Sequence, residues 1–484
     1  MMKKLISTVA ILAAAYLSAQ QLNLLQNQRR DNYGYAEINY INPKNSLFVA
    51  KGKVDATLIL KDLDLKVINE VLLPNMGQNL DKYITVINDS HIAILPQRPP
   101  SSIPGIETLD NLKYRFYDLK NNKLSEPYTL PGEHKSNSVL FDFIPIHNGF
   151  LTSTFIYDGI HLPSNPNNLM AIDNNNNVLW THELAPNPKL NAKSIYYHKV
   201  RSNNNTIALA ARNHISNGYE REEIVILDNT TGQEKLRKIM SDIGSNYYLE
   251  NIKYHENKLI GIGDTSPVHK AEDGQYTGFF IMSMDEKNAT TIKNFNWYDL
   301  TPYLDINEKG YVKDKGYILV HDFEVDPKTQ NIILIGEYFH KKANKFYISN
   351  FVLFELDPNF NLKSVKEIPK VENQYPSKGI IYGARTLAYY FHRSGYFDYM
   401  FVNKLENNSG LTFFYHNQEK KKTVSKIGEY QYGIITYKDG IFGTDKLQYD
   451  SKTPTLIMQN KPGSFLVRQL SDTGSEMRLE KINH

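Results

Sequence analysis

The sequence predicts an all-β fold, a β-propeller of four-stranded blades, and three observations carry that prediction. Tyr and Phe are abundant, at 33 and 22 of 484 residues, and aromatic side chains favour strands over helices. One hairpin pattern returns at a near-constant interval along the chain. Almost nothing has the i, i+3, i+4 apolar spacing of a helix.

Composition narrows the function classes. An apolar fraction of 41% supports a packed core and excludes a wholly disordered chain. Lys plus Arg 55 against Asp plus Glu 52 is too balanced for a nucleic-acid binder that relies on a broad basic surface. The chain has no cysteine, so burial alone must hold it together and no thiol is available for catalysis or lipid attachment.

The first element is an export signal. Met1 to Lys4 supplies a basic start, Leu5 to Leu12 is apolar apart from Ser7 and Thr8, and small residues follow at Ala13, Ala14, Ala15, Ser18 and Ala19. This is the layout of a secretory signal, with cleavage expected after Ala15 or after Ala19. The expected organisation is a signal peptide over 1–19 and a single propeller domain over 20–484, in a periplasmic or secreted protein. No later stretch reaches the roughly 20 apolar residues of a membrane span. A monomer is expected.

The repeat is an apolar strand, an Asp, a polar turn and a second strand. It reads LILKDLDLKVINEV around Asp62, RFYDLKNNKLSEPYTL around Asp118, LMAIDNNNNVLWTHEL around Asp173 and IVILDNTTGQEKLRKI around Asp228. It continues around Asp285 and Asp357, then in two degenerate copies with His416 and Ser471 in the Asp slot. The intervals between these anchors are 56, 55, 55, 57, 72, 59 and 55 residues. Upstream of each hairpin lies another strand pair, such as YYLENIKYH and KLIGIGD about the turn Glu256-Asn257. Four strands per unit at this period predict eight blades, with seven as the alternative count. Two β-sandwiches would instead need a linker and a break in the period.

The fourth hairpin, Asp228 to Leu236 with Thr231-Gly232 at its turn, resembles the repeat of quinoprotein-type eight-bladed propellers, Ala-x-Asp-x-x-Thr-Gly-x-x-x-Trp. Ile226 takes the Ala slot and Leu236 the Trp slot. The third hairpin, Ala171 to Trp180, keeps Ala, Asp and Trp but lacks Thr-Gly. The resemblance covers these two hairpins and implies the blade type, a count of eight, and a Trp that docks onto the neighbouring blade. It does not by itself imply a quinone, and no cofactor is expected. Ca²⁺ is the one ion left open.

Turn lengths separate the two faces. The A–B and C–D turns are short and rich in Asn, Asp, Gly and Lys, which suits tight hairpins; Lys420 to Lys422 reads as a solvated hairpin tip. The B–C connections are long, over 97–111, 157–168, 212–222, 264–276 and 337–347. The 72-residue interval adds about 16 residues, assigned to the D–A connection from Trp297 to Gly316. Long loops on a rigid scaffold are the usual seat of function, so this is the expected binding face.

Candidate residues follow from that geometry. His161, His214, His269 and His340 each fall in a B–C loop and are binding candidates, although none has local metal-ligand spacing. His147, His255 and His392 fall in the opposite A–B turns. Counting back five residues from the A–B turns gives Glu37, Asp142, Glu250 and Asp322, a candidate acidic ring at the channel mouth that could hold a cation or supply two carboxylates for glycoside cleavage. Arg385, in the comparable stretch of unit seven, and Trp297 complete the binding candidates. The expected function is a non-catalytic binding or scaffold module that recognises a glycan, a peptide or an envelope protein, with carboxylate-based polysaccharide cleavage as the alternative.

Overall fold

A computed structural model gives the architecture. It describes residues 22–24, 35–40, 56–62, 64–73, 82–88, 90–97, 113–132, 138–156, 168–215, 220–242, 245–267, 276–377, 383–393, 395–417, 429–450, 455–471 and 474–482. Antiparallel sheets follow one another along the chain, each a meander of consecutive strands. Seven of them have four or more strands and are the blades. A last sheet, Thr455–Gln459, Ser464–Ser471 and Gly474–Lys481, has three. The protein is thus an all-β propeller of seven four-stranded blades, the lower of the two counts that the repeat allowed. The three-stranded sheet meets blade 1, where Leu466 packs with Leu65 and Lys461 pairs with Asp64.

Local turn chemistry explains why the Asp anchors recur. Asp62, Asp118, Asp173, Asp228, Asp285 and Asp357 each end a third strand, C, and accept backbone N–H bonds from their own C–D turn. An Asp carboxylate placed there satisfies donors that the turn leaves unpaired. The two degenerate anchors differ. His416 closes strand B of blade 7, Leu411–His416, and Ser471 closes the second strand of the last sheet. The C–D turn of blade 7 is Asp439-Gly440, both at positive φ, between Glu429–Lys438 and Ile441–Asp450. The spacing held while the strand assignment slipped by one.

Each sheet hides its apolar faces between neighbours. Blades 3 and 4 share Leu151, Ala171, Leu209 and Val225; blades 5 and 6 share Ile262, Phe279, Leu334 and Phe354; blades 6 and 7 share Ile335, Leu353, Phe413 and Ile435. A fully buried Leu, Ile or Phe contributes about 1.5–3 kcal/mol over an exposed one, so a blade without its neighbour forfeits many such terms.

Two features break the regular pattern. A helix, α1 (Ala384–Arg393), joins blade 6 to blade 7 and packs Leu387, Ala388 and Phe391 onto Phe346 and Tyr375. Arg385, expected in strand A, and His392, expected in an A–B turn, are both helical, and strand A of blade 7 is Tyr399–Lys404. The D–A connection of blades 5 and 6 does hold the expected insertion, a 3-10 turn Trp297–Leu300 followed by the short strand Tyr311–Val312.

Candidate functional site

Strand A of blades 3 to 7 carries one extra residue against strand B. The interruptions fall between Leu140 and Asp142, Tyr197 and Lys199, Leu249 and Asn251, Val320 and Asp322, and Tyr399 and Phe401. Phe141, His198, Glu250, His321 and Met400 are therefore the bulged residues. A bulge re-aims the side chains around it. The residue after each bulge is Asp142, Lys199, Asn251, Asp322 or Phe401, a mixed set and not an acidic ring. Glu250 occupies the bulge itself, out of register with Asp142 and Asp322. Glu37 lies on the second strand of its sheet, paired with Leu22 on one side and Ile59 on the other. Among the described side chains, Glu250 and Asp322 do not share a register position. The side chains of Glu37 and Asp142 lie outside the described residues.

Blades 4 to 7 together border a cavity of about 240 Å³ in the channel, lined among others by Lys199, Asn251, His321, Asp322, His392 and Tyr399. Asp322 is fully engaged there. Its Oδ1 accepts from Asn251 Nδ2 at 2.8 Å and from the Phe323 N–H at 2.8 Å, and lies 2.8 Å from Lys253 Nζ. Its Oδ2 accepts from the Tyr399 hydroxyl at 2.7 Å. Strand alternation puts Asn251 and Lys253 on one side of blade 5, which is why both reach the same carboxylate of blade 6. Burial works to raise the Asp322 pKa, but Lys253 and these hydrogen bonds outweigh it and hold the carboxyl below its ordinary value. Such a carboxylate is ionised and saturated, a poor general acid.

Beneath the cavity, Glu337, Lys370 and Asp398 form a buried charge cluster. Lys370 Nζ lies 3.1 Å from Glu337 and 2.5 Å from Asp398, with all three side chains sealed from solvent. Glu337 also accepts the backbone N–H groups of Asp398 and Tyr399 at 3.0 and 2.9 Å, which fixes the start of strand A in blade 7. His321 Nε2 sits 3.2 Å from Glu337 Oε1, and its ring packs 4.8 Å from that of His392. Burial alone would raise Glu337; Lys370 and His321 bring it below the ordinary glutamate value.

Two of the binding candidates come together. Arg385 is 2% exposed, and its guanidinium lies 4.8 Å from the Tyr276 ring, 5.1 Å from Trp297 and 5.3 Å from Tyr317. Trp297 is locked by its Nε1–H to the Tyr276 carbonyl at 2.7 Å. It also fills the space over Gly310, where a Cβ would come within 2.5 Å of the indole. Arg385 Nη1 reaches Asp264 Oδ2 at 3.4 Å, and the Tyr389 hydroxyl donates to the same oxygen. Glu250 adds negative charge near Tyr276 and Tyr389.

Two of the four histidine candidates, His214 and His340, fall among the described residues. His214 ends strand B of blade 4, with Nδ1 4.0 Å from Glu220. His340 lies within strand B of blade 6 and stacks on Tyr347 at 4.6 Å. The expected loop over 337–347 is a tight hairpin between Ile332–Lys342 and Lys345–Leu356. His161 and His269 lie outside the described residues, as do residues 1–19, Lys420 to Lys422 and most of the other B–C connections. Among the described residues no group of three or more His, Asp or Glu is placed to hold a metal ion, and no helix is long and apolar enough to cross a membrane. The bulged register and the Arg385 cage had no sequence signal beyond the aromatic content around them.

Residues 340–483 match a family of unknown function, DUF6770. No curated protein matches the chain. Among solved structures the chain is similar to the dihydro-heme d1 dehydrogenase NirN in complex with DHE, at 10% identity over 91% of this chain and 75% of that one, TM-score 0.45. It is similar to the WD40 domain of SCAP from fission yeast at 9% identity, over 95% and 97%, TM-score 0.39. It is also similar to an ulvan lyase of polysaccharide lyase family PL25 at 10% identity, over 82% and 91%, TM-score 0.39.

Proposed function

We propose that this chain is an exported, non-catalytic binding propeller whose loop-bearing face recognises a glycan. One observation carries the reading. The two D–A connections flanking blade 6 present tyrosines to solvent on one face: Tyr298 at 76% exposure, Tyr303 and Tyr311 on the first, and Tyr390 at 59% on α1. Tyr is enriched at interaction surfaces, where one end of the ring is apolar and the other wet. Tyr offers a flat apolar face with a polar tip, which suits a sugar ring. The connection beneath them is rigid, anchored by buried Trp297 and Leu300.

The cleavage alternative lacks support, because Asp322 is saturated by four donors and Glu250 stands out of register with it. A glycan array probed with the mature protein tests the reading. Binding that Tyr298→Ala and Tyr390→Ala each weaken supports it. Retention only of peptides or envelope proteins redirects it, and no change in either variant contradicts it.

A further inference from the structure

Arg385 has an orphaned edge. Among the described residues, its Nη1 has one long contact, to Asp264, while Nε and Nη2 are buried with no hydrogen-bond partner. A guanidinium is always charged and carries no acceptor, so these are two unpaired donors beneath the surface. Leaving such groups unsatisfied is costly, and an unsatisfied group in a native fold calls for an explanation. The two atoms are also a matched pair. Nε–H and Nη2–H point the same way in one plane, the arrangement that receives both oxygens of a carboxylate in parallel.

The surroundings hold this edge ready. Tyr276, Trp297 and Tyr317 approach the guanidinium at 4.8–5.3 Å, and cation–π contacts of this kind leave the in-plane donors unused. Asp264 is a poor counter-ion. It meets Arg385 end-on at 3.4 Å and shares its oxygen with Tyr389, and burial pushes its carboxyl above the usual range. The site lies at the loop-bearing end of the propeller. Asp264 is near the close of strand Lys258–Pro267, and Tyr317 is the second residue of Gly316–Val325.

We propose that the Nε–Nη2 edge of Arg385 is a binding site for a small carboxylate, a free organic acid or the acid group of a sugar. The site stands whether or not the tyrosine rim binds a glycan. The full chain is titrated at constant ionic strength with sodium acetate and with sodium D-glucuronate, with acetamide and glucose as the neutral controls. Trp fluorescence is read because Trp297 lies 5.1 Å from the guanidinium. The acids produce a saturable change and the neutral controls none. A response to acetate alone assigns a free small acid, and a response to both extends the site to sugar acids. Arg385→Lys keeps the charge without the paired edge and weakens apparent affinity at least tenfold. Asp264→Asn removes the competing carboxylate and tightens it. The assignment is overturned if the intact protein shows no saturable response to either acid. It is equally overturned if folded Arg385→Lys titrates like the parent, or, should that variant not fold, if Asp264→Asn leaves the affinity unchanged or lower.

Discussion

Trp180 of blade 3 sits on Gly232 of blade 4. A Cβ at Gly232 would come within 2.4 Å of the indole, and the glycine holds φ +69°. Trp180 Nε1 also donates to the Asn229 carbonyl of the same turn at 3.0 Å. The Trp of the third hairpin thus docks onto the Thr-Gly turn of the fourth, so the two partial copies of the repeat are halves of one contact between neighbouring blades.

Trp180→Ala should cost about 3–5 kcal/mol, the range for emptying a buried Trp site. Gly232→Val should cost at least about 1–3 kcal/mol from overpacking, plus strain at a positive φ. Urea melts followed by circular dichroism check both. If Gly232→Val melts like the parent, blades 3 and 4 do not meet in this way.

Lys370→Met should be among the most damaging single changes, at about 3–5 kcal/mol, because it strands Glu337 and Asp398 as buried unpaired charges. The triple change that also makes Glu337→Gln and Asp398→Asn should recover part of the loss. A triple variant no better than Lys370→Met would show that the charges are not what the lysine serves.

Acid stability follows from Glu337. Its folded pKa lies below the ordinary glutamate value of 4.5, so its contribution is fully present above 4.5 and is lost as the pH falls through the lower folded value. Glu337→Gln should therefore lower stability at neutral pH and flatten the acid limb below pH 4.5. Denaturation midpoints across that window measure it; parallel parent and variant curves would refute the assignment.

Asp322→Asn should cost about 1.5–3 kcal/mol through its hydrogen bonds to charged and polar partners. It should leave the mass of any polysaccharide incubated with the protein unchanged, as the parent does. Light scattering of the polymer reads this directly.

The turns were the most legible part of the sequence, because Asp62 through Asp357 act on backbone donors two to four residues away and need no tertiary context. Blade 7 was misread for the same local reason. Its C–D turn uses Asp439-Gly440 at positive φ, while His416 merely keeps the interval. Helix α1 escaped notice because it is a short connector, fixed by Leu387 and Phe391 packing onto blade 6, with its remaining rings resembling strand composition. The bulges were invisible. A one-residue insertion in strand A has no composition, and it shows that the counterpart of Asp322 is Asn251 and not Glu250. The neutralisation of Asp322 by Lys253 comes from an adjacent blade about 70 residues earlier in sequence, beyond any local pattern.

The address read from Met1 to Ala19 predicts a processed protein. Expressed with its own N-terminus in a bacterial host, the chain should be recovered outside the cytoplasm beginning after Ala15 or Ala19. Full-length protein in the cytoplasm would withdraw the export proposal.

The sharpest test of binding without cleavage is size-exclusion light scattering of the protein mixed with a polysaccharide that the array identifies. A complex of constant polymer mass over a day is the predicted result. A polymer whose mass falls with time, in a sample where Tyr298→Ala abolishes the fall, would make this propeller an enzyme.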